Sequence, residues 1–373
     1  RSVARSKAWK WAAKEFQRRL MPSSRMAFCL QNRRFGVEGG HAVHSSCSGR
    51  SFFKGLATCS SKSCVICSER ISAQRLTELQ AIRKAADRIH ARQFFVTVTI
   101  PHVASDRLYL SFDRLQSLDK QVKADKAYRK LKQRIGYIGT ATGTEVTFGR
   151  LNGWHPHKHQ ILFCTNREVT AADIESELRL IYARKLTAMG YPLETVEAAL
   201  EHQIKVTDAS ARIEEYLQKY GVMPKWDDLK ELTLSQFKKG RGYGLTPWEL
   251  LNMAMDGDQN AGDLFREYAV TLEGRRMLVL SPGLREKLGM TEEEVSDEDA
   301  ASFEHEEGEL VYQFNIRDWE DVVWAGLRGE VLQAAEQFGS AGVERVVAEA
   351  RRLRSAHLSE LLSKRGASYV HGR

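Results

Sequence analysis

The chain has 373 residues, 42% of them hydrophobic, which is enough to bury a core in two or more domains without covalent staples. No apolar run approaches the ~20 residues of a membrane span. The basic start lacks the apolar core and small-residue cleavage site of a signal peptide, so a cytoplasmic protein with no membrane partner is expected. The net charge of +8 is unevenly spread: residues 1–160 carry 30 Lys+Arg against 10 Asp+Glu, and residues 161–373 carry 26 against 38. A basic N-terminal half points to a polyanion, because Lys and Arg contacts to phosphates release counterions and dominate nucleic-acid affinity.

In chain order, residues 1–20 predict a basic amphipathic helix, and residues 21–67 an irregular stretch rich in Ser, Gly and Cys. Helical spacing and strong helix formers predict a helix over 68–92. "FFVTVTI" (94–100) is β-branched and aromatic, hence a strand, and Pro101 stops it. A Lys/Arg-rich helix is expected over 119–134 and a strand over 137–149, before the turn signal Asn152-Gly153. Thr170 and Asp173 form a capping box for a helix to about Ala188, and another helix is expected over 210–220. In "TPWELL" (246–251), Thr246, Pro247 and Glu249 mark a helix start. The acidic segment 291–309 reads as a linker or surface face, and a helical region over 328–366 closes the chain.

The stretch "GWHPHKHQILF" (153–163) carries the first chemical signal. Its histidines at 155, 157 and 159 alternate, which is the period of a strand, so His157 and His159 project side by side and can chelate one divalent cation. Glu145 is the sole acidic residue between Asp125 and Glu168, and it lies across the Asn-Gly turn. A two-residue turn would pair Glu145 with Gln160 on the wrong face. A shared site therefore requires a three- or five-residue loop or a bulge, with Pro156 as the expected irregularity. Two imidazoles and a carboxylate with open positions suit Mg²⁺ or Mn²⁺ acting on a phosphate, with His155 as a further candidate ligand and zinc as the rival metal.

Two more patterns stand out. In "ARIEEYLQKYG" (211–221), Tyr216 and Tyr220 share a helix face beside Lys219. A tyrosine hydroxyl can attack a metal-polarised phosphodiester, and Lys219 can stabilise the phenolate or hold a phosphate oxygen. Cys59, Cys64 and Cys67 form C-x₄-C-x₂-C, which suits thiolate chelation of a structural Zn²⁺, with Cys29, Cys47 and His44 open as the fourth ligand. Cys164 reads as a core residue.

"GWHPHKH" preceded by "GTEVTFG", led by "FFVTVTIPH" and followed by "YLQKY" resembles the HUH endonucleases, most of all the rolling-circle replication initiators of bacterial plasmids. The resemblance spans about residues 25–290, including "GLATCSSKSCVIC", "LTPWELL" and "SPGLREKLGM". It implies nicking of one strand at plasmid origin DNA, a covalent 5′-phosphotyrosine link and a 3′ hydroxyl that primes replication. It further implies His157 and His159 as the metal pair, Glu145 as the third ligand, Tyr220 as the nucleophile and Cys29 as the fourth zinc ligand. Tyr216 stands where many plasmid initiators carry a Glu that activates water at termination, so it becomes a candidate for the second transfer. Lys158 replaces the bulky apolar residue usual between the two histidines, and is expected to point off the metal face, toward DNA.

No G-x₄-G-K-[ST] loop occurs, so a replication role would need a host helicase and DNA polymerase. The expected fold is α+β, a central antiparallel sheet with flanking helices of the ferredoxin/RRM-like HUH type. The expected domains are a Cys-rich zinc module at 1–75, the nuclease at 76–225 and a mainly helical region with the acidic segment at 226–373. The rival readings are an HUH transposase or relaxase and, in another class, a non-catalytic zinc-dependent DNA-binding regulator.

Overall fold

A computed structural model of the chain describes residues 7–36, 41–209, 244–276, 278–291, 293–302 and 308–370. The chain opens with α1 (Lys7–Leu20), then the antiparallel pair β1 (Ala42–Ser46) and β2 (Ser51–Lys54). The long helix α2 (Cys67–Arg88) leads into β3 (Arg92–Val98), α3 (Leu108–Ala124) and α4 (Lys126–Arg134). The hairpin β4 (Tyr137–Gly149) and β5 (Gly153–Cys164) follows, then α5 (Ala171–Ala188), α6 (Leu193–Gln203) and β6 (Ile204–Asp208). Beyond lie β7 (Gly244–Leu245), α7 (Pro247–Met255), α8 (Gln259–Thr271), β8 (Leu278–Leu280) and α9 (Leu284–Lys287). The chain ends with α10 (Asp297–Ser302), β9 (Gly308–Gln313), α11 (Ile316–Ala325) and α12 (Arg328–Val370), the last broken at Gly339.

These elements form two compact units, one of Glu69–Asp297 and one of Arg5–Ser68 with Glu298–Arg373. The first holds an antiparallel sheet in the order β6-β3-β5-β4-β7, with β8 also paired to β4. Strand alternation sends Phe94, Val96, Val98, Leu162 and Cys164 to a core under α3, α4, α5 and α6. The opposite residues, Phe95, Ile161 and Phe163, meet Leu76, Leu79 and Ile82 of α2 and Leu284 of α9. With both faces covered, β5 reads as a nearly continuous buried run after its histidines. The fold is α+β with antiparallel sheets flanked by helices, as the sequence led us to expect.

Both expected capping boxes are present. Thr170 accepts from Asp173 N at 3.2 Å, and Thr246 accepts from Glu249 N at 3.2 Å with Pro247 at the first helical position. The Lys/Arg-rich segment differs from expectation. It is the end of one helix and the whole of another, because Asp125 leaves helical geometry and caps α4 through Ala127 N at 2.8 Å. The helix expected over 210–220 lies outside the described residues. The acidic segment is more structured than a linker. Asp297 accepts from Arg75, Ala300 and Ala301 of α10 are buried, and β9 pairs with β1 in the second unit's three-stranded sheet.

Candidate metal centre

The loop between β4 and β5 sets the site. Gly149 pairs with Gly153, so residues 150–152 make a three-residue connection, and Glu145 falls directly opposite His157. The odd loop predicted by parity is present, while Pro156 is not the irregularity: it pairs in register with Val146, and the shift in β4 lies between Tyr137 and Gly139. Gly153 is required here. Its φ is +73°, and a Cβ would come within 2.6 Å of the Ala104 carbonyl oxygen, so the 101–106 loop seats against the start of the histidine strand.

Glu145, His157 and His159 bring one ligand atom each within 4.8 Å of one another. Nε2 of His159 lies 2.9 Å from Oε2 of Glu145, close to the ~3.0 Å edge of an octahedron with ~2.1 Å bonds. The three donors could therefore hold one divalent cation. His159 is 4% exposed, its ring stacks on Phe95 with centroids 5.4 Å apart, and its Nδ1 lies 3.1 Å from Thr97 Oγ1. The Nδ1 contact to Thr97 leaves Nε2 as the nitrogen turned toward the carboxylate, where it would ligate a shared cation.

His155 stands apart from this trio. Its Nδ1 is hydrogen-bonded to Nε2 of His102, and its ring meets His157 edge-on with centroids 4.1 Å apart. Burial, reinforced by the neighbouring His102, pushes the His155 pKa down to about 4, so its ring is neutral at pH 7. Lys158 points off the metal face as expected, but inward: it is 8% exposed and its Nζ lies 2.9 Å from Asp119 of α3. Burial opposes the charge of Asp119, yet Lys158 and Lys123 outweigh it and hold the carboxyl below its ordinary value.

A second cluster occurs in the other unit. Cys29, Cys59, Cys64 and Cys67 are all buried, with Sγ separations of 3.4 Å (29–67), 3.6 Å (59–67) and 3.8 Å (29–64). A tetrahedron of ~2.3 Å zinc–thiolate bonds has edges of ~3.8 Å, so the four thiols fit such an ion. Hydrogen bonds from Cys29, Cys59 and Cys67 hold the Cys64 thiol well below its ordinary pKa. Cys47 is exposed, and His44 bonds the Gly308 carbonyl oxygen at 3.1 Å, so neither joins this cluster. Gln17 of α1 braces the loop, donating to Ser63 O at 2.7 Å and accepting from Val65 N at 3.1 Å.

The family model described as "Replication protein" matches residues 51–322. The chain belongs to this replication protein family. Among curated relatives, "Protein rep" of Streptomyces lividans is 27% identical, over 84% of this chain and 82% of its own. "Neomycin resistance protein" of Streptomyces cyanogenus is 34% identical over 20% of this chain and 22% of its own. No solved structure matches.

In this replication protein, Tyr216, Lys219 and Tyr220 lie outside the described residues. Two residues near the centre carried no assignment in the sequence reading, Thr97 and His102. Both sit in "FFVTVTIPH", and the strand register that places Thr97 opposite His159 could have found the first. Trp154 was likewise unassigned; its Nε1 donates to Glu267 Oε2 at 3.1 Å, and Oε1 of the same carboxylate accepts from Leu108 N at 2.7 Å. Among the described residues, no helix is long and apolar enough to cross a membrane.

Proposed function

We propose that this replication protein nicks one strand of plasmid origin DNA in the cytoplasm, starts rolling-circle replication from the freed 3′ hydroxyl and rejoins the strand at termination. The observation that carries the reading is the meeting of Glu145, His157 and His159 on adjacent strands of a replication protein. Mg²⁺ or Mn²⁺ bound there would supply Lewis-acid polarisation of the scissile phosphate. Glu145 and the two histidines hold their donor atoms toward one point, and Thr97 keeps the His159 ring turned to it.

In the proposed step the Tyr220 oxygen forms a bond to phosphorus and the P–O3′ bond breaks. The phenolic proton passes to solvent, and the departing O3′ takes a proton from solvent. Lys219 stabilises the phenolate, and Tyr216 makes the second transfer at termination. The four buried cysteines would hold a structural Zn²⁺. Host helicase and polymerase extend the primer, since the sequence has no phosphate-binding loop of its own.

The test incubates supercoiled origin plasmid with the full chain and Mn²⁺, then looks for nicked circles carrying covalent protein. Tyr220→Phe is expected to abolish that product while DNA binding persists. Full nicking by this variant would transfer the nucleophile to Tyr216, and no covalent product from the unaltered protein would favour a non-catalytic DNA-binding regulator.

A further inference from the structure

The sheet face opposite the histidines carries a feature that the nicking reaction does not use. Asp125, at the junction of α3 and α4, heads a cleft of about 600 Å³ whose lining includes Lys126, Arg129, Lys130, Arg184 and Lys185. Asp125 is the one carboxylate in that lining, and it is already engaged. It accepts from Ala127 N at 2.8 Å and lies 2.8 Å from Lys185 Nζ and 3.5 Å from Arg184 Nη2. Lys126, Arg129 and Lys130 recur at the spacing of one helix face, are exposed, and have no ion-pair partner among the described residues. The other face of α4 buries Tyr128 and Leu131, which fixes the three cations outward.

Arg266 pairs with Asp263 and Arg352 with Glu349, each within its own helix. The α4 trio departs from that pattern. The cleft lining also contains no aromatic side chain, so it offers no platform for stacking unpaired bases. Unpaired cations without a stacking surface suit phosphates of a duplex, whose bases are already stacked.

We infer that the α4–α5 cleft, through Lys126, Arg129, Lys130 and Arg184, binds the phosphate backbone of duplex DNA behind the sheet that carries the metal centre. The contact is independent of base sequence. Only the identity of that duplex, DNA flanking the nick, rests on the proposed function.

The test compares the full chain with Lys126→Gln/Arg129→Gln/Lys130→Gln and a control that neutralises three exposed cations elsewhere, Lys205→Gln/Arg317→Gln/Arg345→Gln. Binding to a 30-base-pair duplex of arbitrary sequence is measured across a salt series. Circular dichroism checks folding, and Arg129→Gln alone serves as a milder second variant. The cleft variant should bind about 10-fold more weakly, with a salt slope smaller by about 3, and Arg129→Gln should lower the slope by about 1. The control should keep most of the affinity, and Mn²⁺-dependent cleavage of a single-stranded origin oligonucleotide should be unchanged in the cleft variant. Equal affinity and slope in cleft and control variants would overturn the proposal. Absence of oligonucleotide cleavage in the unaltered protein would instead fail the nicking reading, and the duplex comparison would still decide the cleft.

Discussion

At the scale of single residues, Thr97 has the most to do with the least chemistry. Its hydroxyl lies 3.1 Å from Nδ1 of a nearly buried His159 and so keeps Nε2 turned to Glu145. Thr97→Val keeps the β-branched shape and removes the hydroxyl. Mn²⁺ affinity should fall about 10- to 100-fold, and Thr97→Ser should restore most of it, read by isothermal titration. Removal of an imidazole goes further: His159→Ala should reduce Mn²⁺ binding to background. Lys158 shows a residue-scale feature that sequence could not give. Alternation says which face it takes, but not that Asp119 of a distant helix waits there. Asp119→Asn leaves the Lys158 ammonium buried against Lys123 with no counter-charge and should cost about 3 kcal/mol in urea unfolding. The pH dependence has a definite sign. The Asp119 carboxyl is held below its ordinary 3.8, so its stabilisation is full above that value and is lost as pH falls through the lower, folded-state pKa. The variant should lack that acid-side loss.

At the scale of elements, the loop of residues 150–152 decides whether the site exists, because one residue more or less turns every side chain of β5 to the other face. Deleting Leu151, which is exposed, should leave Glu145 facing away from the histidines. Mn²⁺ binding should vanish even if the sheet survives by circular dichroism. The same parity made this part of the site legible in the sequence: alternating histidines, one nearby acid and an Asn-Gly turn contain the geometry. Capping boxes made the starts of α5 and α7 legible for a similar reason, since their hydrogen bonds are local. The edge strands β7 and β8 were not legible. They are two and three residues long, and their partners in β4 stand about a hundred residues or more away, so no local period marks them.

At the scale of the whole molecule, the second unit is discontinuous, and its cysteine cluster depends on residues near the chain's other end. The sequence reading made the Cys-rich stretch a module of its own, because long-range pairing leaves no local signature; instead β1 pairs with both β2 and β9. Arg328 joins the two segments most directly. Its fully buried guanidinium donates to Glu15 Oε1 through Nε at 2.9 Å and Nη2 at 2.6 Å, and through Nη1 to the carbonyl oxygens of Cys29 and Leu30 at 3.1 and 2.8 Å. It therefore fixes the backbone that presents one of the four thiols. Arg328→Met fills the volume but leaves Oε1 of Glu15 and two carbonyls without their donor, Arg18 still holding Oε2 at 3.0 Å, which should cost about 3 kcal/mol. The effect should be confined to one unit. Zinc retained per chain after dialysis against a weak chelator should fall, with thiols of the four-cysteine cluster becoming titratable, while Mn²⁺ affinity at Glu145, His157 and His159 stays within about 2-fold. Equal losses at both centres would show that the division into units does not govern stability, and unchanged zinc retention would show that Arg328 does not hold the cluster.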